Sequence, residues 1–286
     1  MTDSDQSMMQ QKPSVKGRVL VFDSGMGGLT VAREISQIAP ALKVDYAADT
    51  GFFPYGDKSD EALRARLPEV AAALVREARP DVFVIACNTA STLALDEVRA
   101  RLDIPVVGTV PAIKPAAALT RTGVIGLLAT PGTIRRAYTA RLIEEFASEI
   151  TVILHGSVEL VRLAEAFAAG EAHDSGGFAA ALAPIFEAKD GNLVDTIVLA
   201  CTHFPLVRAQ LAAAAPDGVT FVDSGAAIAR QTLRVLGNVP QGNRTEGPAG
   251  RLFITDEGGD HGRLVKVCAR FGFESVCPPV LLTAER

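Results

Sequence analysis

Val84-Ile85-Ala86-Cys87-Asn88-Thr89 and Val198-Leu199-Ala200-Cys201-Thr202-His203 are two copies of one pattern. Each is an apolar run that closes on Ala-Cys and continues into polar residues. A buried strand delivering its last residues into a polar pocket is written this way. The cysteines are 114 residues apart, and the same offset lays Asp81 on Asp195, Val84 on Val198, Ala86 on Ala200 and Val107 on Phe221. Two thiols at equivalent ends of two related strands point to chemistry done from two sides of one substrate.

Working outward, each copy sits in a βαβ alternation. Val19-Leu20-Val21-Phe22 reads as a strand, Leu29 to Ile38 as a helix and Val44 to Ala48 as a strand. Asp60 to Arg79 reads as a helix, Asp81 to Ala86 as a strand, Thr92 to Leu102 as a helix and Ile104 to Gly108 as a strand. The pattern restarts at the strand Gly123 to Leu128, with a helix over Ile134 to Phe146 and a strand over Thr151 to Leu154. Helices follow over Val158 to Ala169 and Phe178 to Ala188. Thr196 to Ala200 is a strand, Leu206 to Ala214 a helix and Val219 to Val222 a strand. Such alternation predicts an α/β fold with parallel-type sheets covered by helices. Two similar Rossmann-like lobes would face a shared crevice at the carboxyl ends of their strands. The tail from Arg251, with a strand at Leu252 to Thr255 and a helix near Gly262 to Phe271, is too short for a third domain and is expected to return to the first lobe. Val239 to Gly250, rich in Gly, Pro and polar residues, is expected to be a loop. The expected division is a flexible tail over 1–16, a first lobe over 17–110 plus 224–286, and a second over 111–223.

A chain of 286 residues can hold one large domain or two ordinary ones. A net charge of -5 argues against nucleic acid or an anionic membrane as the partner. Four cysteines are too few for a disulfide scaffold at this length, and none has metal-site spacing, so no metal is expected. The polar segment Met1 to Lys16 has no apolar core, and no run approaches the ~20 apolar residues of a membrane span. A cytoplasmic protein is expected.

Asp23-Ser24-Gly25-Met26-Gly27-Gly28 is a glycine-rich turn between strand and helix. It lacks the last glycine of a dinucleotide fingerprint, Thr30 standing in its place, and lacks the Lys-Ser/Thr of a phosphate loop. A small-anion site edged by Asp23 and a plain tight turn both remain open. Phe52-Phe53-Pro54-Tyr55-Gly56-Asp57 is either a pocket wall offering Tyr55 and Gly56 or a surface turn. Asn88, Thr89, Thr202 and His203 suit a zwitterionic ligand, since they donate and accept without fixed charge. His203 beside Cys201 can tune the thiol or shuttle a proton. Cys268 and Cys277 have no such setting and are read as structural.

Four segments in order, Val21 to Leu29, Pro54-Tyr55-Gly56, Ala86-Cys87-Asn88-Thr89-Ala90 and Ala200-Cys201-Thr202-His203-Phe204-Pro205-Leu206, carry a family likeness. The chain resembles the glutamate racemases of the aspartate/glutamate racemase superfamily. The resemblance implies two α/β lobes with pseudo-twofold symmetry and an active site between them. It also implies cofactor-independent interconversion of L- and D-glutamate, with D-glutamate supplied to peptidoglycan and so to cell shape, and a homodimer. Cys87 and Cys201 match the two acid/base thiols. Asp23, Ser24, Tyr55, Gly56, Asn88, Thr89, Thr202 and His203 match the substrate-contacting set, with Thr130 and Thr133 from the second lobe. Asp23 near Cys87, and His203 with Glu165 near Cys201, would tune the thiols. Glu165 closes Leu160-Val161-Arg162-Leu163-Ala164-Glu165, but the Cys-Pro pair that precedes this stretch in many members is replaced by Ser157-Val158, so Glu159 is a rival. Competing uses of the same residues are an aspartate racemase, a dithiol redox protein and a non-catalytic amino-acid-binding protein.

Overall fold

The computed structural model describes residues 17–174, 176–238, 242, 250–259 and 261–282. The expected tail over 1–16 and nearly all of the expected loop Val239 to Gly250 lie outside these residues. The first sheet is built from β1 (Arg18–Asp23), β2 (Lys43–Ala48), β3 (Val82–Ile85), β4 (Val106–Gly108), β9 (Arg251–Ile254) and β10 (Ser275–Val276) in the order β10-β9-β2-β1-β3-β4. The second holds β5 (Val124–Ala129), β6 (Thr151–Gly156), β7 (Thr196–Ala200) and β8 (Thr220–Val222) in the order β6-β5-β7-β8. Every pairing is parallel. The central strands β1, β3, β5 and β7 are apolar and buried almost throughout, as strands covered on both faces must be.

The duplication seen in the sequence is real in space. Strands β2-β1-β3-β4 and β6-β5-β7-β8 run in the same relative order, and the offset of 114 carries β4 onto β8 residue for residue. Asp81 and Asp195 stand just before β3 and β7, and each accepts two backbone amides from the start of its neighbouring strand: Gly17 and Arg18 for Asp81, Arg121 and Thr122 for Asp195. These carboxylates pin the strand order at the end opposite the cysteines.

Helices cover both faces of each sheet. In the first lobe α1 (Leu29–Ile38) packs with α10 (Gly225–Leu236) on one face, and α2 (Asp60–Ala78) with α3 (Asn88–Arg101) on the other. In the second, α4 (Ile113–Leu119) and α6 (Ala137–Ala147) oppose α7 (Glu159–Ala169), α8 (Gly176–Phe186) and α9 (Arg208–Ala214). Ser59 accepts the Ala62 amide and caps α2, and Gly170 ends α7 with a positive φ of 72°. Helix α11 (Gly262–Arg270) ties the tail of the chain to the second lobe as well, since Arg263 pairs with Glu171 and Arg270 donates to the Ala168 carbonyl.

Three helices differ from expectation. The helix expected over Thr92 to Leu102 starts at Asn88, directly after Cys87, and is broken at Ala94, where φ is -134° and ψ 21°. The helix expected over Ile134 to Phe146 is two, α5 (Pro131–Arg135) and α6, separated by Arg136 in an extended conformation. Hydrophobic period alone does not register such breaks, because apolar residues on both sides still face the core. The helix expected over Leu206 to Ala214 begins with a 3₁₀ turn at Phe204–Val207 before α9.

Candidate active site

Cys87 is the second of two residues between β3 and α3 and occupies the N-cap position of the helix. Its Sγ lies 4.0 Å from Ser24 Oγ, and the residue is 5% exposed. Burial, and after it the negative charge of Asp23, pushes the Cys87 thiol up to about 12, opposed by hydrogen bonds from the Ala90 amide and Ser24. Cys87 is therefore a neutral thiol at neutral pH and a strong base once deprotonated.

Cys201 follows β7 in the equivalent place. Its Sγ lies 3.9 Å from His203 Nδ1, while His203 Nε2 lies 3.0 Å from Glu165 Oε1. All three are buried. Burial opposes protonation of His203, but its hydrogen bonds with Cys201 and Glu165 outweigh that and hold the imidazole well above its ordinary value. A protonated ring donates to both neighbours at once. Of the two candidate carboxylates, Glu165 is the one that meets His203. Its rival Glu159 pairs with Arg162 and keeps a side chain 81% exposed.

The glycine turn, open between an anion site and a plain tight turn in the sequence, is where the second lobe packs against the first. A side chain at Gly25 would meet Glu165 Oε1 at 2.8 Å, and one at Gly27 would meet His203 Nδ1 at 2.6 Å. These glycines let the second lobe press its His-Glu pair onto the first lobe. Asp23, fully buried, accepts the Gly25 amide at 2.9 Å and the Thr202 hydroxyl at 2.8 Å, a bond that crosses between the lobes.

The thiols share one tight cavity with a free volume of about 20 Å³, room for about one water molecule. It is lined by Ser24, Tyr55, Gly56, Cys87, Asn88, Thr89, Thr130, Cys201, Thr202 and His203, together with the apolar Phe53, Pro54, Val158 and Val161. Asn88 Oδ1 is buried there without a hydrogen-bond partner, an acceptor suited to a ligand donor. Thr89 and Thr130 hydroxyls meet across the lobes at 3.1 Å. Asp23, Thr133 and Glu165 stand behind the wall: Thr133 Oγ1 holds Thr130 Oγ1 at 3.0 Å.

Tyr55 lines the cavity, and its hydroxyl is tied to a buried carboxylate. That group donates to Asp49 Oδ2 at 2.6 Å, and burial together with Asp49 pushes the phenol well above its ordinary value. Asp49, fully buried, also takes both arms of Arg66, at 2.7 and 2.6 Å, and the Thr255 hydroxyl at 2.5 Å. The pocket wall is thus fastened to the end of β9. Sequence reasoning did not find Asp49, whose only signal was a carboxylate just after β2, nor Val158 and Val161 of the apolar lining, whose residue types match ordinary core. All four cysteines are free thiols. Among the described residues no group of three or more His, Cys, Asp or Glu is placed to hold a metal ion, and no helix is long and apolar enough to cross a membrane.

The chain is similar to known proteins over most of its length. A family model described as Asp/Glu/Hydantoin racemase matches residues 20–232. The glutamate racemase of Pectobacterium carotovorum subsp. carotovorum (strain PC1) is 48% identical over 238 residues, covering 83% of this chain and 82% of that one. The glutamate racemase of Salmonella gallinarum is 44% identical over 259 residues, 90% of each. The Escherichia coli glutamate racemase, solved in complex with L-glutamate and the activator UDP-MurNAc-Ala, superposes with a TM-score of 0.84 at 42% identity, covering 93% of this chain and 98% of that one. A glutamate racemase isoform from Bacillus anthracis gives a TM-score of 0.77 at 27% identity, over 92% and 97%.

Proposed function

The chain belongs to the Asp/Glu/hydantoin racemase family, and we propose that it interconverts L- and D-glutamate with Cys87 and Cys201 as opposed acid and base. The observation that carries the mechanism is two buried thiols at equivalent strand ends on one cavity. The extent of the likeness to glutamate racemases carries the substrate. Racemisation removes the α-proton from one face and returns a proton to the other. A single base cannot serve both faces of a short-lived carbanion, but one thiolate and one thiol can.

Cys201, beside the protonated His203, enters as thiolate. It takes the α-proton, and the C–H electron pair stays on Cα. Cys87, a thiol held near 12, gives its proton to the opposite face. One turnover leaves Cys201 as thiol and Cys87 as thiolate, the state that acts on the opposite enantiomer. No electron leaves the system, so no redox partner is needed. The raised basicity of Cys87 narrows its gap to the much more basic carbanion. The rest of that gap is met by fixed donors around the substrate carboxylate in a water-poor site. Ser24, Asn88, Thr89, Thr130 and Thr202, with the Tyr55–Gly56 backbone, are assigned to hold the zwitterion. Asp23, Thr133 and Glu165 act through the residues they hold.

In this reading residues 17–110 with 224–286 form one lobe and 111–223 the other, and the substrate is enclosed between them. Supply of D-glutamate to peptidoglycan, in the cytoplasm, fits the muramoyl activator named with the Escherichia coli relative. The resemblance to the family suggests a homodimer, which sedimentation would test.

The decisive experiment is proton NMR of cofactor-free protein with L-glutamate in deuterium oxide, with handedness read by a D-specific assay. Loss of the α-proton signal with appearance of D-glutamate is expected. Folded protein with reduced thiols that does neither, with and without UDP-MurNAc-Ala, overturns the reading. Exchange with aspartate alone would move it to the sibling reaction, and binding without exchange to a non-catalytic protein.

A further inference from the structure

Arg136 is the extended residue that separates α5 from α6. Although an arginine, its side chain is 8% exposed. It reaches from the second lobe into the first. Nη1 donates to the Thr89 carbonyl at 2.7 Å and to Thr92 Oγ1 at 3.0 Å, and Nη2 pairs with Asp60 Oδ1 at 2.8 Å. Asp60 opens α2 and is more than half exposed, so the deeper anchors are Thr89 and Thr92.

Those two residues belong to a distinct piece of chain. The break at Ala94 separates Asn88–Leu93 from the rest of α3. This short segment carries the cavity residues Asn88 and Thr89 and follows directly on Cys87. The Ala90 amide hydrogen-bonds the Cys87 thiol, and Ser91 N closes the first helical turn on the Cys87 carbonyl. Fewer than two turns of helix cannot hold its own geometry in water, so its orientation must come from what it touches. On its cavity side Thr89 meets Thr130, which Thr133 holds in turn. On its outer side is Arg136, three residues after Thr133 in the chain. The segment is thus gripped from both sides by one stretch of the second lobe, 130–136.

We propose that Arg136 is a positioning residue for racemisation: the interlobe guanidinium that fixes the Asn88–Leu93 segment, and through it the Cys87 thiol, in register with the substrate Cα. The role rests on the two-thiol reading above. A planar fork answers two acceptors on one helix turn and a carboxylate on another, which a lysine ammonium cannot do at the same geometry. The hydrogen bonds of Arg136 go to Thr89, Thr92 and Asp60, on the Cys87 side of the site.

The test uses Arg136→Ala, Arg136→Met and Arg136→Lys in the full-length protein. Loss of the fork is expected to lower kcat/KM by about a hundredfold, the scale of a 1 Å misplacement of a reacting group. Arg136→Lys, which keeps one donor to the Thr89 carbonyl, recovers part of the loss. The fall in kcat/KM is equal for L- and D-glutamate, because a racemisation has an equilibrium constant of unity. The discriminating readout is the isotope effect with α-deuterated substrates. Slowing the Cys87 step alone raises it for the enantiomer that Cys87 deprotonates and lowers it for the one that Cys87 reprotonates. Amide exchange should rise over 88–93 and stay unchanged over 95–101.

Activity within threefold of wild type in folded Arg136→Ala overturns the proposal. So do isotope effects that shift alike for both enantiomers, which would assign a general structural role. If the alanine variant does not fold, the methionine and lysine variants decide, since they keep the buried stem. A wild-type protein that does not racemise glutamate refutes the two-thiol reading instead, and the exchange pattern still reports whether Arg136 holds the segment.

Discussion

Replacing Glu165 with glutamine tests the electrostatics of the Cys201 side in isolation. The substitution keeps shape and leaves an acceptor 3.0 Å from His203 Nε2, but removes the charge. A hydrogen bond to a charged group contributes roughly 1–1.5 kcal/mol more than a neutral one, so kcat/KM at neutral pH should fall about tenfold, equally for both enantiomers. The sign of the pH effect follows from the direction of the His203 shift. Hydrogen bonds with Cys201 and Glu165 raise the imidazole above its ordinary value despite burial. Activity that needs the imidazolium therefore persists above that value and declines as pH rises through the folded-state pKa. Without the Glu165 charge the decline moves to lower pH. Stability follows the same linkage: the Glu165 contribution is fully present below the unfolded histidine value of about 6.5 and disappears as pH rises through the higher folded value. The difference in melting temperature between wild type and Glu165→Gln is thus largest on the acid side and closes on the alkaline side. A polarimetric assay of both enantiomers across pH, with thermal melts at the same points, reads both effects. Glu159→Gln, on an exposed side chain, is the control and should change neither. If Glu165→Gln keeps its activity and its alkaline limb, or Glu159→Gln reproduces the loss, the reasoning about the His203 pair is wrong.

Cys87→Ser and Cys201→Ser should each lower racemisation by more than about a thousandfold; full activity of either in both directions rules out two opposed thiols. With its thiol at about 12, Cys87 should react slowly with iodoacetamide at neutral pH and faster as pH rises, and fast neutral labelling by mass spectrometry would contradict that. Thr202→Val leaves Asp23 Oδ2 buried without its interlobe donor and should cost about 1–3 kcal/mol of stability in denaturant titration. Asp49→Ala strips the partner from Arg66 and from the Tyr55 and Thr255 hydroxyls. It should destabilise by about 3 kcal/mol or more and raise KM through the loosened Tyr55–Gly56 wall; an unchanged KM would separate that network from the site.

The sequence was most legible where it repeats. Buried parallel strands are written as continuous apolar runs, so the 114-residue offset located β3 and β7, and their ends located Cys87 and Cys201. The resemblance then nominated Glu165, which the structure sets against His203. What was illegible depends on contacts far apart in the chain. Gly25 and Gly27 look like ligand glycines until Glu165 and His203 arrive from about 140 and 176 residues away. Asp49 is an ordinary loop aspartate until Arg66 and Thr255 close on it. Arg136 reads as one surface base among several in a helical stretch, because a guanidinium buried by the opposite lobe leaves no local trace. Helices α4 and α10 were not anticipated: α4 has only seven residues, and no strand pattern directly follows α10 to frame it.

The duplicated strand order has a consequence for stereochemistry. A planar carbanion has two faces, and rotation through half a turn exchanges them, so a repeated strand end can offer a thiol to each. The three groups on Cα are all different, and no rotation maps them onto one another. Whatever grips them must therefore break the repeat. It does so at the residues after each cysteine: Asn88 and Thr89 have no counterparts in Thr202 and His203, and Ser24 faces one sulfur where an imidazole faces the other. The repeated strand ends are thus symmetric about a carbanion plane, while the residues that follow them are not.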